Sequence, residues 1–407
     1  MVWSREQQHL HDAVLAVAAT LGSDHVERDA AGTFDTEGWK KLAELGLFGL
    51  PFGEQYGGLA QDLPTTMYAL EALGTACRDG GLSFSAVTHL VSTGVALHRF
   101  GSAQLKQRYL PDVCAGSIIG AHAVTEPAGG SDITPMRTTA VPDGDDFVLN
   151  GSKAFVSNGP IADVILVYAR TGKLGNPAAI SVFLVPRGTA GLSVGQPVGK
   201  LGLRTSPLAE VYLDDVRVPR ANMVGSQGAG LLILDAVMQW EILCGFVVNL
   251  GEMQHRLDRC VRYARTRRQF GEHIGRYQSI SHRIVDMGTD VETARMWLYS
   301  TARKLAAGGN VTTDVARTKL IVSESNVRSA LAAVQIFGGY GYTTEYGLEK
   351  ELRNSVSGTI YSGTSEIQRE RLAALMGLHR PLDNADNADN AGGAGTAAPR
   401  TERTLVP

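Results

Sequence analysis

Residues 118–132 read Ile-Ile-Gly-Ala-His-Ala-Val-Thr-Glu-Pro-Ala-Gly-Gly-Ser-Asp, and at this stretch the chain changes character. Upstream, apolar residues fall at helical spacing. Glu6 to Leu21 carries Leu10, Val14, Val17, Ala18 and Leu21 at such intervals and stops at Gly22. Trp39, Leu42, Leu45 and Leu47 predict a short helix ending near Gly46 or Gly49, and Gly53–Gly58 a glycine-rich loop. Further helices are expected at Thr65–Gly74, Phe84–Phe100 and Gln104–Cys114. Downstream, Phe147–Leu149, Val164–Tyr168, Ile180–Val185 and Val211–Leu213 are rich in branched and aromatic residues and predict strands. Turn clusters such as Asp143-Gly144-Asp145 and Asn150-Gly151 separate them. Long helical patterns return at Leu231–Arg265, Ser279–Ala307, Val311–Phe337 and Ser365–Gly377. The layout predicts an α+β fold: an N-terminal helical domain (1–118), a middle β-domain (119–224) and a C-terminal helical domain (225–380). Residues 381–407 repeat Asp-Asn-Ala and then turn Gly/Ala/Pro-rich. That predicts a disordered tail, too poor in apolar side chains to offset the entropy of ordering.

Composition narrows the class. The 407 residues are 44% hydrophobic and 19% charged, with a formal net charge of −3. That balance fits a soluble globular protein and gives no field favouring nucleic acid or an anionic membrane. No apolar run approaches the roughly 18 residues of a membrane span. The N-terminus lacks the layout of a signal peptide, so a cytoplasmic protein is expected. Cys77, Cys114, Cys244 and Cys260 show no CxxC or metal-ligand spacing and are expected to be reduced, buried thiols, with no metal site.

Three segments can carry chemistry. Ala123–Asp132 is a loop of small and hydroxyl residues that lets backbone approach a flat ligand, with Thr125 and Ser131 as donors. A glycine-rich turn is also usually only a turn. Arg265–Gly271 places arginines at a helix end, where they grip a diphosphate or simply complement the helix dipole. Ile360–Arg369 holds a capped helix start whose free N–H groups suit an anion or a carbonyl oxygen. There Glu366 is a dipole-complementing residue by default.

Together these segments resemble the acyl-CoA dehydrogenase family over residues 1 to about 378. The motifs are Thr-Glu-Pro-Ala-Gly-Gly-Ser-Asp at 125–132, Gly-Ser-Lys-Ala-Phe-Val-Ser-Asn-Gly at 151–159 and Lys-Leu-Gly-Leu-Arg-Thr-Ser at 200–206. Asp-Asp-Val-Arg-Val-Pro at 214–219, Arg-Arg-Gln-Phe-Gly at 267–271, Gln-Ile-Phe-Gly-Gly at 335–339 and the 361–369 segment follow in order. The resemblance implies an α+β architecture ending in a C-terminal four-helix bundle, a bound FAD, and assembly as a homotetramer or homodimer. It implies an acyl thioester substrate, on CoA or a carrier protein, and electron-transfer flavoprotein or a similar acceptor as partner. Thr125 matches the residue bonding the flavin ring, and Ser131 one near ring and substrate. Phe155 and Ser157 stand where the family most often has Trp and Thr. Arg267, Phe270, Gln335 and Gly339 match residues that hold the FAD diphosphate and adenosine, partly across a subunit boundary. Thr364 and Glu366 match further cofactor contacts. Tyr361, Gly363 and Cys244 are expected near the acyl group.

The reaction needs a base at the substrate's α-carbon. In most of the family that base is the Glu after the Tyr of the 361 motif. Here that position is Ser362, whose hydroxyl is too weak a base, although its backbone N–H can serve the thioester carbonyl. A minority carry the glutamate on a long helix, 29 positions before the motif's Phe, and 270 − 29 gives Glu241. Glu241 is the only acid between Asp235 and Glu252, in an apolar stretch that would desolvate it and raise its pKa. A salt-bridged helix glutamate is the plainer reading of the same residue. Gln239 and Ile242 stand where the family often has an acid and an Arg near the pantetheine, which leaves a carrier-protein thioester open beside CoA. A flavin oxidase or monooxygenase on the same fold, and a catalytically silent relative, are the rival readings.

Overall fold

The computed structural model describes residues 2–378; the expected tail lies outside them. Helices open the chain: α1 (Arg5–Ala18), α2 (His25–Ala31), α3 (Thr36–Glu44), α4 (Leu63–Ala76), α5 (Gly80–Val87), α6 (Ala96–Phe100) and α7 (Ala103–Cys114). The ends are set locally. Ser4 and Gln7 form a reciprocal capping box on α1, and Asp62 accepts from the Thr65 N–H at the start of α4. The single helix expected over Phe84–Phe100 is interrupted, because Thr88–Val95 between α5 and α6 is π-helical. Such segments loosen the ladder to re-aim side chains and gather at functional sites.

The middle sheet has eight strands: β1 (Gly120–Ala123), β2 (Thr139–Asp143), β3 (Asp146–Ser157), β4 (Val164–Arg170), β5 (Ile180–Pro186), β6 (Leu192–Val194), β7 (Leu208–Pro219) and β8 (Met223–Val224). Its order is β6-β7-β3-β2-β4-β5-β8, with β1 parallel beside β4. Strands β4 and β5 are buried on both faces up to their last residues and are mostly apolar, as strands covered on both sides must be. Ile165 and Val167 point into the β-domain core, while Leu166 and Tyr168 join the core shared with the helices. The sheet's helix-facing side therefore forms one wall of the helical layers.

The remaining elements are α8 (Gly230–Thr266), the short ribbon β9 (Arg268–Gln269) and β10 (Glu272–His273), α9 (Gln278–Ala306), α10 (Thr312–Phe337), α11 (Gly339–Tyr342), α12 (Leu348–Val356) and α13 (Ser365–Leu375). Helix α8 is central and packs on α4, α9, α10 and the π-helical segment. Ile242, Leu243, Cys244, Phe246, Val247, Val248 and Leu250 are all buried, so its middle is apolar on every side. By length and mean hydropathy, Gly80–Phe100 and Gly230–Thr266 are long and apolar enough to cross a membrane, contrary to the expectation from apolar runs alone. The apolar window of the first is 89% buried inside the fold and that of the second 44%, so much of this apolar surface packs against other helices. All four cysteines are buried free thiols.

Glycines fix the register of α8. A methyl on Gly74 would collide with the Val248 carbonyl, and one on Gly251 with the Glu71 carbonyl. The α4 and α8 backbones thus touch directly. Gly251→Ala is expected to push them apart and cost about 1–3 kcal/mol, seen as a lowered thermal midpoint. An unchanged midpoint would show that the contact does not constrain α8.

Candidate active site

Glu241 lies on α8, and its carboxylate is held from two sides. The Ser92 hydroxyl, in the π-helical segment, donates to Oε2 at 2.8 Å. The Ser362 hydroxyl, just before α13, donates to Oε1 at 2.5 Å. Burial raises the Glu241 pKa above the ordinary carboxylate value, and the Ser362 and then the Ser92 hydrogen bonds pull it part of the way back. Among the described residues no ion pair touches the carboxylate, so it is not the salt-bridged helix glutamate of the plainer reading. Lone, desolvated and held by neutral donors, it has the character of a base.

Ser362 adopts a left-handed backbone, φ 55°. Gly363 follows at φ 82°, and Gln368 Nε2 donates to the Ser362 carbonyl at 3.0 Å. The Ser362 N–H has no hydrogen-bond partner among the described residues. Thr364 caps α13 by accepting from the Ile367 N–H, and exposed Glu366 sits in that helix's first turn. Tyr361 donates to Asn249 Oδ1 at 3.1 Å and its ring rests on Phe84 and Phe246. A small cavity of about 20 Å³ beside it is lined by Ser83, Phe84, Gly245, Asn249 and Glu252. Cys244 is fully buried in the core and does not line this cavity; its neighbour Gly245 does.

The β-domain residues gather at one loop. The Thr125 carbonyl accepts from the Ala154 N–H at 2.9 Å, tying the 125–132 turn to β3. A register shift between Lys153 and Val156 marks a bulge in β3. It swings Phe155 outward, at φ 55° and 67% exposed. Ser157 is half-buried nearby and Ser131 is exposed in the turn. The pair beneath them escaped the sequence reading. Buried Lys153 Nζ meets Glu126 Oε1 at 3.0 Å and donates to the Val124 carbonyl, while Glu126 also accepts from the Arg137 and Thr138 N–H groups. Burial raises the Glu126 pKa, and Lys153 and these donors more than offset that, leaving it below its usual value. Burial also pulls Lys153 down, to about 8, against the attraction of Glu126. Both residues stood in motifs visible in the sequence; their pairing, across 27 positions, was not.

The other candidates lie elsewhere. Arg267 ends α8 and its guanidinium sits 5.7 Å from the Tyr340 ring, beside Gly339 at the start of α11. Gln335 is exposed on the last turn of α10, and Phe270 is 92% exposed at φ 50° in the β9–β10 turn. From Glu241 to Arg267 the helix rises about 39 Å at 1.5 Å per residue. The sequence-named residues are therefore spread out: Glu241 on α8 meets Ser362, Phe155 and Ser157 sit on β3, and Arg267 belongs to a patch at the far end of α8. The Phe155 and Phe270 rings are both uncovered, and each sits in strained left-handed backbone.

Comparison with known proteins places the chain. The N-terminal, middle and C-terminal domains of acyl-CoA dehydrogenase match residues 4–117, 121–216 and 228–377. An L-prolyl-[peptidyl-carrier protein] dehydrogenase from Serratia sp. is 39% identical, over 92% of this chain and 97% of that protein. The crystal structure of the prolyl acyl carrier protein oxidase AnaB superimposes with a TM-score of 0.91 at 37% identity, over 92% of this chain and all of that one. The FAD complex of PigA gives 0.90 at 38%, over 93% and 99%. The chain belongs to the acyl-CoA dehydrogenase family. It is an FAD-dependent oxidoreductase that dehydrogenates an acyl thioester.

Two outcomes are expected. Removing the Ser362 hydroxyl (Ser362→Ala) removes a donor that favours the ionised base, so the acid limb of the kcat–pH profile moves to higher pH. An unmoved limb would separate Ser362 from the base. Lys153→Met leaves Glu126 buried without its cation and is expected to cost about 3–5 kcal/mol in denaturant unfolding.

Proposed function

We propose that Glu241 is the general base and that the substrate is an L-prolyl or closely similar cyclic α-aminoacyl thioester on a carrier protein. The observation that carries the first part is the carboxylate bridged by Ser92 and Ser362, next to a free Ser362 N–H. In this reading the N–H holds the thioester carbonyl oxygen, stabilising negative charge that develops there. Glu241 takes the α-proton as the α C–H bond breaks. Bound FAD supplies the acceptor for the hydride that leaves the β-carbon, and the substrate ends with an α,β double bond. Thr125, Ser131, Phe155, Ser157, Thr364 and Glu366 would hold the flavin end. Arg267, Phe270, Gln335 and Gly339, on the far patch, would serve the cofactor of a second copy in a homodimer or homotetramer.

Two features support a carrier protein over CoA. Gln239 bonds only within its own helix, to Asp235, and Ile242 is buried at 1% exposure, so neither offers the charge that the family often places near pantetheine. Two of the relatives described above, the Serratia dehydrogenase and AnaB, are also named for carrier-bound prolyl groups. The likeness to AnaB, titled an oxidase, favours oxygen as a second reading for the acceptor beside an electron-transfer flavoprotein.

Anaerobic titration of the holoenzyme tests this reading. A prolyl-carrier thioester is expected to bleach the flavin absorbance, and acyl-CoAs are not. Glu241→Gln is expected to keep FAD and slow bleaching by about a thousandfold or more. Bleaching by acyl-CoAs alone would overturn the substrate, and a fully active Gln variant would overturn the base. Reoxidation of the reduced enzyme by air within seconds would mark an oxidase.

A further inference from the structure

The wall facing Glu241 carries polar groups with nothing to bond among the described residues. Tyr168 on β4 is completely buried, and its Oη has no partner. His122 on β1 lies edge-on to it, with ring centroids 5.0 Å apart, and its Nε2 also lacks a partner. Register places both on the helix-facing side of the sheet: His122 pairs with Leu166, two residues from Tyr168. The Thr93 side chain packs against Gly120 on the same side, and its Oγ1 is a third orphan. Thr93 adjoins Ser92, which bonds Glu241. The charge of Glu241 also reaches Tyr168, whose phenol burial already raises.

Orphaned buried polar atoms are rare because each costs free energy, so a cluster of them asks for a ligand. In this position the ligand can be named by its chemistry. The α-amino nitrogen of an aminoacyl thioester is bonded to the carbon that Glu241 deprotonates, so it must lie within a few ångströms of that carboxylate. Burying its N–H without an acceptor would be costly. A phenol oxygen and a neutral imidazole nitrogen are acceptors, and burial holds the His122 pKa down at about 4, so its ring is neutral.

We propose that Tyr168 Oη and His122 Nε2 bind the α-amino nitrogen of the substrate and select aminoacyl over plain acyl thioesters. The proposal rests on the aminoacyl reading given above. A plain acyl chain would leave both acceptors unpaired, which disfavours it. No bond to the nitrogen is made or broken; the pair orients the α C–H toward Glu241.

The test uses the FAD-loaded enzyme and one carrier protein loaded with either L-proline or cyclopentanecarboxylate, which keeps the ring and replaces N–H with CH₂. Stopped-flow bleaching gives the reduction rate, and equilibrium titration of the substrate-free holoenzyme with free L-prolinamide, whose amine is intact, gives binding without turnover. Tyr168→Phe keeps the ring against His122, and His122→Leu removes the second acceptor. Each is expected to lose about 100-fold on the prolyl thioester and to weaken prolinamide binding, while changing the cyclopentane thioester less than about threefold. Equal losses on both thioesters would mark a packing defect, and unchanged prolyl kinetics in both variants would mark a water-filled recess; either overturns the proposal. If the wild type ignores the prolyl thioester and accepts acyl-CoAs, the aminoacyl reading itself fails and the proposal falls with it.

Discussion

A carboxylate set against the apolar middle of a helix is the constraint on which the rest depends. Water would stabilise Glu241 as an anion and blunt it as a base; burial alone would keep it protonated. Two serine hydroxyls from distant parts of the chain resolve this. Each gives the anion a hydrogen bond without a counter-charge. Holding them there takes the whole architecture. Ser92 depends on the π-helical segment, which is pinned at His89 between the Val113 carbonyl and the Gly120 N–H. Ser362 depends on a left-handed turn held by Gln368. The helix beneath them keeps its place through the direct contact of Gly74 and Gly251 across α4 and α8.

Seven non-glycine residues among those described adopt positive φ, and three of them are sequence-named site residues. Phe155, Phe270 and Ser362 all adopt positive φ without being glycine. Each such residue costs on the order of 1–3 kcal/mol, which the surrounding structure must offset. Around Phe155 the offset comes from the β3 bulge and the buried Lys153–Glu126 pair. Phe155 lies on β3 and Phe270 in the β9–β10 turn beyond the end of α8, so the strained positions fall on different elements of one chain.

Much of this was legible in the sequence, for physical reasons. The long helices announce themselves by period, and β4 and β5 by continuous branched and aromatic residues. Glu241 was reached by the 29-position count that the family resemblance implies, and its solitary place in an apolar helix agreed with that count. Strand β1 was not read, because Gly-Ala-His-Ala has no strand preference and is extended only by pairing with β4. The π-helical segment was read as plain helix, since its looser ladder is imposed by packing on β1 and α8. Ser92 lies 149 positions from Glu241, a pairing that no local pattern records. Ser362 was read for its backbone N–H, and the bond from its hydroxyl to Glu241 came only from the fold. Cys244, one turn beyond Glu241 and expected by the acyl group, is fully buried.

The central claim is that Glu241 removes the α-proton. The most direct measurement uses a carrier-bound thioester with no hydrogen on its β-atom, which can lose an α-proton but cannot give up a hydride. Incubated with the holoenzyme in D₂O, it should exchange its α-hydrogen for deuterium by mass spectrometry with the wild type and not with Glu241→Gln. Exchange at the wild-type rate in the Gln variant would contradict the account and move the base to another residue.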